Sequence, residues 1–293
     1  MDCTRIRNLT AGLVLIASLS SCTDVPPPPD PATSDGRMSD LDMPRPIDAR
    51  DNLWVEDLTW LEARDAIAAG KETVIVPTGG VEQNGPYTVG GKHNYIVRAA
   101  AEVIAGKLGN ALIAPVIAFV PEGQIDPPTG HMAYPPTISL EEETYRALLR
   151  DIARSMRAHG FRNVVFIGDS GGNQPGMKAV AAELDAAWRE QGARAIYVPE
   201  YYDWQDRAEW LAGRGYQETP EGIHDELSVQ AILMSVDPNL IRLDERRRAG
   251  LATINGVSVE SEEEIAQLGR DLLEHMADKT VTAIQSRLGE NPQ

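Results

Sequence analysis

Short apolar runs that end at glycine turns and lead into helical patterns recur along this chain. Strands are predicted over 73–77, 163–167 and 193–198, and helices over 94–108 and 177–191. Such alternation is typical of an α/β fold whose strands are largely parallel. We therefore predict a three-layer α/β/α sandwich with a mostly parallel sheet.

A further helix is predicted between residues 139 and 160. Ser139 and Glu142 have the spacing of a capping box, and Gly160 stands where a helix commonly ends. In open α/β sheets, ligands bind at the carboxyl ends of the strands. The polar, glycine-rich segments 79–93 and 168–173 are therefore where we expect a functional site.

Residues 1–22 have the pattern of a bacterial export signal. Basic residues precede an apolar run over 9–19, and small residues precede Cys22. This pattern resembles a lipoprotein signal, so we predict cleavage after residue 21, lipidation of Cys22 and a location in the cell envelope, at the periplasmic or extracellular face. An ordinary secretory peptide and an uncleaved anchor are the alternatives, although the run is short for a membrane span.

Residues 22–52 are rich in proline and acid, which predicts a disordered tether ahead of a domain over 53–293. The chain has 27 basic and 44 acidic residues and a formal charge of −17. This balance argues against nucleic acid and leaves the N-terminal lipid as the predicted membrane contact. The two cysteines, Cys3 and Cys22, exclude a disulfide scaffold or a cysteine-based zinc site in the body.

The turn after the first strand carries Glu82, Asn84 and His93. A carboxylate, an amide and an imidazole are ligand types suited to zinc or manganese. Alternatively, Glu82 and Asn84 satisfy backbone donors in a loop, and His93 caps a helix.

The turn after the strand at 163–167 contains Ser170 within a G-x-S-x-G pattern, which is typical of a nucleophile elbow. Asp203 and His224 could complete a serine-hydrolase triad with it. The alternative is a tight packing turn in which Asp169 or Ser170 caps the following helix.

A third polar segment, His224-Asp225-Glu226, opens an apolar helix. A histidine beside two carboxylates can act as a general acid or base, although acids in a first helical turn also complement the helix dipole. His131 lies in a loop that could overhang a pocket. Trp204 belongs to an aromatic cluster that could wall a substrate pocket or pack in the core.

Taken in order, these segments resemble the creatininase (creatinine amidohydrolase) family from about residue 73 to 284. The residues that carry the resemblance are Pro77, Gly79, Glu82, Gln83, Gly85, Pro86, Gly91, His93, His131, Pro135, Thr137, Ile138, Ser139, Leu140, His159, Gly160, Phe161, Arg162, Gly171, Gly172, Asn173, His224 and Pro238. The resemblance implies a creatininase-like fold, metal-dependent hydrolysis of a C–N bond in a small cyclic or linear amide, and a homo-oligomer. We predict that the substrate contacts Asn84, His131, Gly171, Gly172, Asn173 and Trp204.

This chain departs from the family at positions that the resemblance implies are metal ligands. Glu82 is retained, whereas Asn84, His93 and Ser170 replace a histidine, an aspartate and a histidine, and Gly172 replaces a glutamate that some members carry.

Two interpretations follow from these departures. In the first, Glu82, His93 and Asp169 hold one zinc or manganese ion rather than two, and His224, Asp225 or Glu226 moves protons. In the second, the metal is lost, which leaves a lipoprotein that binds a small ligand or a serine hydrolase that uses Ser170.

Overall fold

The computed structural model describes residues 42–222 and 224–289. The predicted export signal, Cys22 and the predicted tether up to residue 41 lie outside the described residues. From Ile47 onward the chain forms one compact unit, which holds the elements that follow.

The unit is built on four parallel strands: β1 (Thr73–Thr78), β2 (Ala111–Ile113), β3 (Asn163–Gly168) and β4 (Arg194–Tyr197). Their order in the sheet is β2–β1–β3–β4. β1 pairs with β3 along its whole length, so Thr78 and Gly168 lie opposite each other. The turns that follow these two strands therefore lie side by side. A small antiparallel hairpin contains β5 (Thr253–Ile254) and β6 (Val257–Ser258).

Eight α-helices occur within the described ranges. They are α1 (Trp60–Ala68), α2 (Lys92–Leu108), α3 (Glu142–Ala158), α4 (Asn173–Trp188), α5 (Trp204–Ala212), α6 (Leu227–Val236), α7 (Leu243–Ala249) and α8 (Glu262–Leu288). None of the helices in this part of the chain combines the length and the hydrophobicity that a membrane crossing would need.

Apolar layers cover both faces of the sheet. Ile75 of β1 belongs to the layer formed with α2, α6 and α8, whereas its neighbours Val74 and Val76 belong to the layer formed with α3 and α4. This alternation follows from the two-residue period of a strand. Helices on both sides of a parallel sheet confirm the predicted α/β/α sandwich.

Helices α6 and α8 pack closely at Gly269. A Cβ atom at this position would lie 1.9 Å from the carbonyl oxygen of Ala231, so a residue other than glycine would force the two helices apart.

One local prediction differs from the structure. The predicted capping box is wrong, because α3 begins at Glu142 with Glu141 as its N-cap. The Ser139 hydroxyl instead accepts a hydrogen bond from the amide of Glu122 and donates one to the carbonyl of Gly123, so it anchors the loop 121–123.

The predicted end of α3 is confirmed. Gly160 follows the C-cap residue His159 with a φ of +108°, a backbone conformation that favours glycine.

Candidate active site

A cavity of about 660 Å³ lies beside the turns that follow β1 and β3. Glu82 and His93 reach it from the β1 side, and Ser170, Gly171 and Gly172 from the β3 side. The remaining walls come from the loop 121–124, from the segment 140–142, from His131 and His224, and from the aromatic side chains of Tyr202 and Trp204. The site thus forms where the α/β topology predicts it.

Two glycines, Gly80 and Gly172, allow the loop 121–123 to pack closely beside the cavity. A Cβ atom at Gly80 would lie 2.1 Å from Glu122 Oε1, and one at Gly172 would lie 1.8 Å from the carbonyl oxygen of Pro121. Both separations are far below van der Waals contact, so this loop needs glycine at both positions. The result is that the Glu122 carboxylate faces the cavity.

Glu82 divides the site into two sides, and the first is a buried network that we call the closed side: Lys92, His93, Asp169, Tyr201 and Arg207. His93 bridges two carboxylates, with Nε2 2.8 Å from Glu82 Oε1 and Nδ1 2.8 Å from Asp169 Oδ2. Asp169 Oδ1 accepts hydrogen bonds from the Tyr201 hydroxyl at 3.2 Å and from Arg207 at 3.4 Å. Both nitrogens of His93 and both oxygens of Asp169 therefore have partners.

These contacts set the ionisation of the closed side. Burial opposes ionisation of Glu82, but the hydrogen bond from His93 and the charges of His93 and Lys92 outweigh it and lower the pKa of Glu82 to about 2. Burial also opposes protonation of His93, yet its hydrogen bonds to Asp169 and Glu82 raise the pKa of this imidazole above its usual value. The contacts with the two carboxylates therefore favour the imidazolium form of His93.

The second side, which we call the open side, consists of Glu122, His131, Ser170 and His224 facing the cavity. His131 Nε2 lies 3.0 Å from Glu82 Oε2, and His224 Nδ1 lies 3.7 Å from Glu82 Oε1. The two imidazole rings stack, with centroids 5.0 Å apart. Burial and the nearby charge of Lys92 lower the pKa of His224, which favours the neutral, metal-ligating form of the ring.

Glu122 is a member of the open side that the sequence analysis did not identify. Its Oε2 accepts a hydrogen bond from the Ser170 hydroxyl at 2.9 Å, whereas its buried Oε1 has no hydrogen-bond partner among the described residues. Burial, followed by the negative charge of Glu82, raises the pKa of Glu122 to about 8. No motif surrounds this residue, and only the contacts of Ser139 and Gly172 bring it into place.

The open side fits a divalent metal ion. One ligand atom from each of Glu82, His131 and His224 lies within 4.8 Å of the other two. A carboxylate and two imidazoles are a common protein ligand set for zinc, and Glu122 lines the same cavity. The structure thus favours a ligand set in which His131 and His224 take the places predicted for His93 and Asp169, whose ligand atoms already have partners.

The other predicted site residues separate into two groups. Eight of the predicted residues line the cavity: Glu82, His93, His131, Ser170, Gly171, Gly172, Trp204 and His224. Asn84 and Asn173 do not line the cavity. The side-chain amide of Asn84 donates a hydrogen bond to the backbone carbonyl of Glu82. The side-chain amide of Asn173 donates to the backbone carbonyls of Thr78 and Gly79. Both asparagines therefore brace the turns on which the site is built.

The two acids predicted to move protons beside His224 also lie outside the lining. Asp225 is buried and accepts a hydrogen bond from Arg246 at 2.7 Å, and burial raises its pKa although the charge of Arg246 opposes this shift. Glu226 is partly buried at the N-cap of α6, and burial raises its pKa.

A Ser170–His224–Asp203 triad is not assembled. The Ser170 hydroxyl donates to Glu122 rather than to an imidazole. Asp203 caps α5 and lies 3.2 Å from Lys279 Nζ. A catalytic serine requires a base within hydrogen-bond reach, and His224 does not occupy that place.

Comparison with known proteins agrees with this architecture. The Creatininase family, described as creatinine amidohydrolase, matches residues 56–284. The chain therefore belongs to the creatininase family. Among curated relatives, the creatinine amidohydrolase of Pseudomonas putida is 25% identical over 204 residues, which cover 66% of this chain and 75% of that protein. The mycofactocin precursor peptide peptidase of Mycobacterium ulcerans (strain Agy99) is 25% identical over 228 residues, which cover 72% and 84%.

Solved structures show the same fold. A crystal structure of creatinine amidohydrolase has a TM-score of 0.56 at 22% identity and covers 83% of this chain and 100% of its own. A structure titled creatininase Mn has a TM-score of 0.58 at 20% identity, with coverages of 80% and 98%. A creatininase variant described as Zn-Zn type has a TM-score of 0.56 at 21% identity, with coverages of 81% and 99%.

Proposed function

We propose that this protein is a metal-dependent amidohydrolase that cleaves a C–N bond in a small cyclic or linear amide. The observation that carries the proposal is the convergence of Glu82, His131 and His224 in one cavity. A volume of about 660 Å³ suits a small molecule, since ligand pockets commonly measure about 300–1,000 Å³. The curated relatives include an amidohydrolase of creatinine and a peptidase, and both names describe C–N bond hydrolysis.

Glu82, His131 and His224 would hold a single zinc or manganese ion, with Glu122 as a further carboxyl group that lines the cavity. Such an ion, when bound, lowers the pKa of water and polarises an amide carbonyl. Two metals are less well supported, because the closed side offers no carboxylate or imidazole atom without a partner.

The chain's own residues supply the remaining functions. Glu122 is the carboxyl group placed to hold a proton, because it lines the cavity and because burial and the negative charge of Glu82 raise its pKa to about 8. Tyr202 and Trp204 form an edge-to-face pair, with ring centroids 5.5 Å apart, that gives a planar substrate an apolar wall. Gly171 and Gly172 line the cavity beside them.

We also propose that the protein is exported and anchored in the cell envelope by a lipid on Cys22. The support is the pattern of residues 1–22, in which a basic stretch, an apolar run and small residues precede the cysteine. Self-association, which the family resemblance implies, remains a prediction.

The test of the proposed activity is reconstitution. The purified protein, without a histidine tag, is stripped with a chelator and titrated with zinc or manganese in a calorimeter. We expect one ion to bind per chain and amide hydrolysis to appear only after reconstitution, with cyclic amides and short peptides as the first substrates. A protein that binds neither metal would overturn the proposal in favour of a metal-free ligand-binding protein.

A further inference from the structure

Lys92 is a buried lysine beside the proposed metal ligands, and no role follows for it from the sequence motifs. Its side chain is 1% exposed, and its Nζ lies 3.2 Å from Glu82 Oε1 and 3.4 Å from His224 Nε2. It thus contacts two of the three residues that converge as a metal-ligand set. Lys92 does not line the cavity but lies behind these two side chains.

The hydrogen bonds around Lys92 leave few atoms for a metal. Glu82 Oε1 is shared by Lys92 and His93, so Oε2 is the oxygen of Glu82 that remains on the cavity side. Asp169 uses both of its oxygens within the closed side. Around Glu82, the carboxylate atoms not held by Lys92 or within the closed side are Glu82 Oε2, which lies 3.0 Å from His131 Nε2, and Oε1 of Glu122. These few atoms suit a site for one ion.

The charge of Lys92 has two opposite effects on Glu82. Without a metal, the ammonium compensates a carboxylate that is 2% exposed, which would otherwise be a costly buried charge. With a metal, the same ammonium repels a divalent cation at close range, where the protein interior screens charges less than water does. Lys92 therefore stabilises the metal-free site and weakens the metal-bound one.

We propose that Lys92 is a built-in cation that sets the metal affinity of this site and confines it to one exchangeable ion. This inference rests on the proposed metal-dependent function. The proposal and a purely structural role predict opposite changes in zinc affinity. If Lys92 only oriented Glu82 and His224, its replacement would weaken zinc binding. If its charge repels the ion, as we propose, its replacement tightens zinc binding.

The test is zinc titration of the chelator-stripped full-length protein by calorimetry, with chelator competition for tight binding. We expect Lys92→Met to bind zinc at least about tenfold more tightly than the wild type, because a repelling charge is removed. Lys92→Gln, which keeps a polar group without the charge, should also bind more tightly. Lys107→Met is the matched control, because the Lys107 ammonium pairs with Glu274 and Asp278 on α8, away from the cavity.

The outcomes separate this inference from the proposed function. Wild-type protein that binds one zinc, with unchanged or weaker binding in folded Lys92→Met and Lys92→Gln, overturns the role of Lys92 alone. Two ions bound by the wild type overturn it as well, whether or not the variants fold. If the wild type binds no zinc but a Lys92 variant does, the lysine is shown to exclude the metal. If none binds, both proposals fail.

Discussion

The two sides of Glu82 differ in how far their side chains are exposed. On the closed side, His93 and Asp169 use both nitrogens and both oxygens in hydrogen bonds, and the side chains are 3% and 0% exposed. On the open side, His131 and His224 are 35% and 32% exposed and line the cavity. A buried hydrogen-bonded network contributes stability and shape, whereas partly exposed side chains at a cavity are accessible to a ligand.

The largest effect on folding should follow from Asp169→Asn. This change removes the charge that faces His93 and Arg207, and loss of one partner of a buried ion pair costs about 3–5 kcal/mol. Urea denaturation should show this loss, while zinc still binds to the variant. The control is Asp151→Asn, whose exposed pair with Arg154 should contribute less than about 1 kcal/mol. Equal stability of the two variants would contradict the closed side as a stabilising network.

The converse effect should follow from His131→Ala on the open side. We expect zinc affinity to fall by more than about 100-fold, because loss of a direct ligand exceeds the 10–100-fold effect of an outer contact. The free energy of unfolding of the metal-free protein should change by less than about 0.5 kcal/mol, as for other partly exposed side chains. His159→Ala, an exposed histidine at the end of α3, is the control and should bind zinc normally. Normal zinc binding by His131→Ala would remove it from the ligand set.

The stability that His93 contributes should depend on pH in the metal-free protein. Although burial opposes protonation, the hydrogen bonds to Asp169 and Glu82 raise the pKa of His93. A raised pKa contributes stability that is fully present below the usual value of about 6.5 and is lost as the pH rises through the raised value. The difference in unfolding free energy between the wild type and His93→Gln should therefore be larger at pH 6 than at pH 9. A difference that stays constant would mean that His93 does not change its protonation between pH 6 and pH 9, which contradicts this prediction.

The smallest effect should follow from Ser170→Ala. The change removes one hydrogen bond to Glu122, and such a bond contributes about 1 kcal/mol. Amide hydrolysis should fall by less than about tenfold, because no imidazole activates this hydroxyl. A fluorophosphonate probe should leave the wild-type Ser170 unlabelled. Covalent labelling of Ser170, together with complete loss of activity in the variant, would favour the serine hydrolase alternative.

The fold and half of the site follow from local patterns. β1 and β3 are apolar runs that end at glycines, and their pairing in a parallel sheet places Glu82, His93 and Asp169 close together. The proximity of these residues was predictable from the sequence. That hydrogen bonds occupy the ligand atoms of His93 and Asp169 was not. Whether an imidazole is free or has both nitrogens bonded depends on partners distant in the chain.

The open side shows why the remaining residues were harder to predict. Glu122 has no motif around it, and its position depends on Ser139, 17 residues away, and on the glycines at 80 and 172. Lys92 precedes His93 in a helix that looks ordinary in the sequence. Periodicity shows which elements form, but contacts between distant loops decide which atoms remain unpaired.

The contact between Gly172 and the carbonyl of Pro121 has a consequence for how related sequences vary. A glutamate at position 172, which some family members carry at the equivalent place, would occupy the space that the loop 121–123 fills here. One chain can therefore place a carboxylate at position 172 or through residue 122, but not both with this backbone. We expect relatives with a side chain at position 172 to differ in the length or path of the loop 121–123. Positions 122 and 172 should therefore covary among related sequences.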